Sequence, residues 1–134
     1  MSGLDSHQAM WGHGVLGAAK AALESLIRAL ALELGPQSIT VNAVSPGFIE
    51  TDSSRLYVER GLGVGYEDAV ARLVTATPVR RVGTVEDVSG LVVFLASDAA
   101  SFITGQTIVV DGGLSIVSPM ERLGEPSRPP GGGL

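Results

Sequence analysis

Three glycines, Gly12, Gly14 and Gly17, fall at G-x-G-x-x-G spacing just ahead of Lys20, the only lysine of the chain, and His13 stands among them. That glycine spacing can seat a pyrophosphate on helix amides, provided a buried strand precedes it and an acid follows at the end of the next strand. Neither condition is met. Residues 5–11 carry no β-branched side chain, and the acid about 20 residues on is Glu33, still within a helical pattern. The glycines therefore read as the start and close packing of a helix. An imidazole titrates at about pH 6.5 and can give a proton to a carbonyl or enolate oxygen, which makes His13 a candidate general acid. His7 and His13 lie six apart and do not make a metal pair. With no cysteine there is no thiolate nucleophile, no disulfide framework and no zinc-cysteine site.

These residues must be held by the long helix expected over residues 12–34. Leu23, Leu26, Ile27, Leu30 and Leu34 draw one apolar stripe along it. Ala18, Ala22, Ser25, Ala29 and Leu32 make a second row of mostly small residues that another helix can approach closely. Both faces are expected to be buried. Gly35-Pro36 ends the helix.

With 134 residues, 45% hydrophobic, the chain has room for one domain with its own core. A net charge of −5 and scattered basic residues, only Arg80 and Arg81 adjacent, give no footprint for nucleic acid. The apolar run 90–96 is too short to span a bilayer, and the N-terminus has no signal pattern, so the expectation is a soluble cytoplasmic protein. Residues 1–11 read as irregular, as though the sequence began inside an element. Residues 39–45, rich in β-branched side chains and closed by Pro46-Gly47, predict a strand and turn. A helix leading into a buried strand indicates an α/β layer with a parallel sheet, with the ligand expected over residues 45–53, beyond the strand's carboxyl end. Residues 51–66 read as a mobile loop or lid, and 67–75 as a weak helix. Thr84 and Asp87 form a capping-box variant opening a helix through about residue 97, with Val85, Val88, Leu91, Val92 and Leu95 facing inward. A strand is expected over 106–110, followed by the turn Asp111-Gly112-Gly113. The domain is expected to occupy residues 1–118 and a flexible tail residues 119–134.

The segments AAKAALESLIRALALEL, ITVNAVSPGFIETD and PVRRVGTVEDVSGLVVFLASDAASFITGQTIVVDGG, in this order, resemble the carboxyl-terminal half of the short-chain dehydrogenase/reductase family. The resemblance covers about residues 2–114. It implies an α/β fold, the C-terminal half of a Rossmann-type doubly wound parallel sheet. Family proteins are about twice as long, so a glycine-rich phosphate loop and the first strands are expected ahead of this segment. The implied cofactor is NADP or NAD. Lys20 resembles the lysine that binds the nicotinamide ribose and lowers the pKa of a catalytic tyrosine. Pro46, Gly47 and Ile49 resemble the turn whose backbone holds the carboxamide, and Thr51 a hydroxyl that contacts the cofactor.

The departures concern the acid. The family's tyrosine, four residues before the lysine, is Leu16 here, and the position seven before, used in a branch similar to enoyl-acyl-carrier-protein reductases, is His13. The family's serine falls at Gly3 or Ser2, leaving Ser2 as the candidate. Catalytic candidates are thus Lys20, His13 and Ser2. Tyr57 and Tyr66 match no family position. The implied activity is reduction of an enoyl or 3-oxoacyl thioester, on a small-molecule or acyl-carrier-bound substrate. The implied assembly is a homo-oligomer or a pairing with an N-terminal half. Without the phosphate loop, the chain alone is expected to bind cofactor poorly. Two other readings stand beside this one, a noncatalytic association module and a cofactor-free acid-base enzyme acting through His13.

Overall fold

Gly47 can sit at the end of the first strand only because it has no side chain: a Cβ there would lie 2.6 Å from the Cβ of Asp111. That approach joins the two strands of the computed structural model, which describes residues 1–118; the expected tail lies outside them. The order is helix α1 (Gly14–Leu34), strand β1 (Ala43–Pro46), helices α2 (Asp52–Leu56), α3 (Tyr66–Ala76) and α4 (Val85–Leu95), and strand β2 (Thr107–Val110). β1 and β2 are parallel, with Val44 opposite Ile108 and Pro46 opposite Val110. Parallel partners need a crossover, and here it runs through α2, α3 and α4. Ala43 and Gly47 donate to β2 at Gln106 and Val110, so alternation turns Val44 to the other edge, where its carbonyl accepts from Ser2 N–H at 2.8 Å. One backbone hydrogen bond thus docks the N-terminal residues against the free edge of β1.

β1 begins later than the expected strand over 39–45. Val41 and Asn42 are taken up by the turn before β2: Val41 N–H donates to Thr104, and the Asn42 amide donates to the Ile103 carbonyl at 2.7 Å and accepts from Gln106 N–H. Within the expected loop, residues 52–62 are helical and only 63–65 stay irregular before α3. Thr51 and Ser54 cap α2 reciprocally, a π-helical turn (Tyr57–Leu62) continues it, and Val58 is buried. The Arg55 guanidinium lies 3.9 Å over the Tyr66 ring and closes the segment onto α3. The Thr84 and Asp87 capping box is present, and Arg81 holds the same carboxylate through two hydrogen bonds of 2.5 and 2.7 Å. Both interactions hold the Asp87 carboxyl well below the usual carboxylate range.

α1 corrects the expected burial. Its covered face is Gly17, Glu24 and Ala31, flanked by half-buried His13, Lys20 and Ile27. Leu23, Leu30 and Leu34 are half-buried and Leu26 is 52% exposed. The row Ala18, Ala22, Ser25, Ala29 and Leu32 is exposed, so no described residue covers the second face. Among the described residues no helix is long and apolar enough to cross a membrane.

Candidate active site

Residues 13, 17, 20 and 24 recur at i, i+4, i+7 and i+11 and line one side of α1. A polar group, a glycine, an ammonium and a carboxylate therefore face the same way. Gly17 lets the first 3-10 turn (Leu4–Ser6) lie against the helix, since a Cβ at that position would be 2.4 Å from the Asp5 carbonyl oxygen. No strand leads into Gly12, which has φ of +80°; Gly12 serves the turn, Gly14 opens α1 and Gly17 serves the packing.

That contact brings Asp5 to His13. The His13 Nδ1 is 3.2 Å from Asp5 Oδ2, and its Nε2 is 2.7 Å from the Tyr57 hydroxyl. The His13 and Tyr57 rings meet edge to face at 79°. Both Asp5 and His13 side chains are well covered, at 8% and 18% exposure. Leu16, at the position of the family's usual tyrosine, is 48% exposed.

Lys20 is half-buried and donates to the Met1 carbonyl at 3.1 Å. An ammonium has three N–H donors, so two remain. Ser2 is buried, with its hydroxyl donating to Glu24 Oε1 at 2.5 Å, and Ser6 Oγ lies 2.6 Å from the same oxygen. Ser2 therefore anchors the N-terminal segment, and its proton is turned to Glu24. Burial alone would raise the Glu24 pKa; the Ser2 and Ser6 hydroxyls, with His7 and Arg28 nearby, outweigh it and hold the carboxyl below its ordinary value.

Beyond the carboxyl end of β1 an open cleft of about 720 Å³ is lined by Ser2, by Pro46, Gly47, Phe48, Ile49 and Thr51, by Tyr57, and by one side of α4. Its position matches the expected ligand region. Ile49 forms an isolated parallel bridge with Gly83, in which Glu50 N–H donates to Gly83 and Gly83 N–H donates to Phe48. In such a bridge the flanking residues make the bonds, so the Ile49 N–H and C=O face away from Gly83. Neither is bonded to another backbone group. Thr51 Oγ1 accepts from Ser54 N–H, which leaves its O–H free to donate.

A family model described as enoyl-(acyl carrier protein) reductase matches residues 1–115. The chain belongs to the short-chain dehydrogenase/reductase family. Within it, the chain is 40% identical to 1-cyclohexenylcarbonyl-CoA reductase of Streptomyces collinus over 96% of its own length and 47% of that protein's. Among solved structures it is similar to aldohexose dehydrogenase of Thermoplasma acidophilum, with a TM-score of 0.81 and 33% identity over 88% of this chain and 47% of that one. It is also similar to a gluconate 5-dehydrogenase from Burkholderia cenocepacia in complex with NADP and tartrate, with a TM-score of 0.75 and 30% identity over 87% of this chain and 44% of that one. The chain spans less than half the length of these short-chain dehydrogenase/reductase proteins. Its α/β architecture and parallel strands are those of the family's Rossmann fold.

Asp5 escaped the sequence, lying in a stretch without pattern; Tyr57 could be expected to reach a site from its loop, but at 44 residues from His13 no spacing connects the two. A helical reading of residues 51–62 would have exposed Tyr57, but Ser54 in place of Glu or Gln at the third capping position concealed it.

Proposed function

We propose that the protein is an NAD(P)-dependent reductase acting on an enoyl or 3-oxoacyl thioester. The observation that carries this reading is the pair of unengaged Ile49 backbone groups. A donor and an acceptor side by side at the mouth of a cleft match the oxygen and nitrogen of a carboxamide, and Thr51 O–H stands two residues on. The residues present fit the nicotinamide half of the cofactor. Lys20 would hold the ribose hydroxyls with its two remaining donors, and Pro46 and Gly47 bring the backbone to the cleft. When bound, the cofactor supplies a hydride. The chain's own residues orient it and supply a proton. The thioester class is supported by the match to the enoyl-(acyl carrier protein) reductase family model and by the similarity to the Streptomyces CoA reductase.

A second reading rests on α1. Its row of small residues is uncovered, and Leu32 is 81% exposed, a face suited to close helix pairing. We infer pairing there with a second copy or with an N-terminal half of the fold. Such pairing accompanies catalysis in the first reading and replaces it in the second.

The test is nucleotide oxidation by the purified protein together with an N-terminal half of the fold that carries the phosphate loop, with enoyl and 3-oxoacyl thioesters of coenzyme A, using NADH and NADPH separately. Thioester-dependent oxidation of one nucleotide is the expected result. No oxidation of either, with a stable complex seen by light scattering, overturns the reductase reading in favour of the association module.

A further inference from the structure

We infer that Tyr57 is the residue that hands the proton to the substrate, with His13 as the group that resupplies it and Asp5 as the residue that positions His13. This assignment rests on the reductase reading above and concerns the residue that does its acid chemistry.

The three groups come from three elements: Asp5 from the first 3-10 turn, His13 from the residue preceding α1, and Tyr57 from the turn that follows α2. An ionised carboxylate only accepts hydrogen bonds, so Asp5 requires the proton of the neutral imidazole on Nδ1. Nε2 is then bare and accepts from the Tyr57 O–H. When His13 takes a second proton, Nε2–H donates to the Tyr57 oxygen instead, and the phenolic proton is released to point elsewhere. The direction open to it is the cleft, because Tyr57 lines that cleft together with Gly47 and Thr51 and is 37% exposed. The groups facing the ring are Asp5 from the 3-10 turn and Tyr57 from beyond α2. Gly17 is part of this device, since a side chain there would push the Asp5 backbone off α1.

The proton balance closes. A hydride supplied by a bound reduced nicotinamide, the reductant, would leave that ring's C–H bond for a new C–H bond on the substrate and place negative charge on the carbonyl oxygen. The Tyr57 O–H bond breaks and its proton goes to that oxygen. The phenolate takes the Nε2 proton of imidazolium His13, which returns to the neutral Nδ1–H form and regains a proton from solvent. Phenol, imidazolium and carboxylate all end the cycle as they began.

The test combines kinetics with nitrogen NMR of the His13 ring. Tyr57→Phe keeps the ring packing and removes the proton; turnover is expected to fall by about a hundredfold or more, with nucleotide affinity retained. His13→Gln can still hydrogen-bond to the hydroxyl but cannot carry a proton, and is expected to lower turnover while leaving substrate KM in place. At alkaline pH the wild-type His13 ring is expected to be in the Nδ1–H form, and Asp5→Asn is expected to abolish that preference. Wild-type turnover in Tyr57→Phe, or an Nε2–H ring in the wild-type protein, overturns the assignment while leaving the reductase reading intact. A wild-type protein that oxidises neither nucleotide overturns that reading and takes the assignment with it.

Discussion

Lys20→Ala is expected to lower turnover about a hundred- to a thousandfold, the usual cost of removing one preorganised electrostatic donor from an active site. The same variant is expected to weaken nucleotide binding, because the two donors not engaged with the Met1 carbonyl are the ones assigned to the ribose. Stability is expected to stay within about 0.5 kcal/mol of wild type, since Lys20 is only half-buried and makes one hydrogen bond, to a backbone oxygen. Lys20→Arg should not restore function, because a planar fork does not replace a compact ammonium. The decisive comparison is kcat and nucleotide Kd alongside the melting temperature. A variant with unchanged kcat and Kd removes Lys20 from the site.

Glu24→Ala is expected to do the reverse, with a large cost in stability of about 3 kcal/mol, because a buried carboxylate loses hydrogen bonds from two hydroxyls at once. Its loss frees Ser2 from α1, and with Ser2 goes the segment that carries Asp5. Glu24→Gln keeps an acceptor and should cost less. The pH dependence has a definite sign. The folded pKa of Glu24 lies below its ordinary value, so between the two the unfolded chain binds more protons and stability rises with pH. The contribution is fully present above the ordinary glutamate value and is lost as pH falls through the lower, folded one. Urea unfolding of wild type and Glu24→Gln over that acid range should therefore converge as the pH drops. Curves that stay parallel would mean that the carboxylate's charge contributes nothing to the fold.

α1, the helix opened by Thr84 and the strand at 107–110 were legible in the sequence because their own residues specify them. α1 ends ahead of Pro36, although Gly35–Gln37 continue as a 3-10 turn and Ser38, not Gly35, takes the left-handed position; Asp87 caps α4 through the Thr84 N–H, and Thr107–Val110 is a β-branched run. The start of β1 was not legible, since Asn42 spends its amide on a turn more than 60 residues away. Nor was the helical nature of residues 52–62, where glycines and charges hide the period and a cation over the Tyr66 ring supplies the order. On α1 an apolar count misplaced the face that matters: toward its N-terminal end the covered side is polar, and it is covered because Gly17 admits another backbone. Lys20, Ile49 and Thr51 are site residues proposed by resemblance. The Asp5, His13 and Tyr57 contact could not be proposed in that way, because it depends on three chain segments meeting in space.

The central claim is that the turn after β1, with Lys20, holds a nicotinamide. Reduced nicotinamide mononucleotide carries that ring and its ribose without the adenylate, and so tests this part of the fold alone. Amide NMR of the labelled protein should show saturable shifts at Gly47, Ile49 and Thr51 on titration, and Lys20→Ala should abolish them. Shifts confined to the Gly12, Gly14 and Gly17 amides, or none at Ile49 at saturating ligand, would contradict the account.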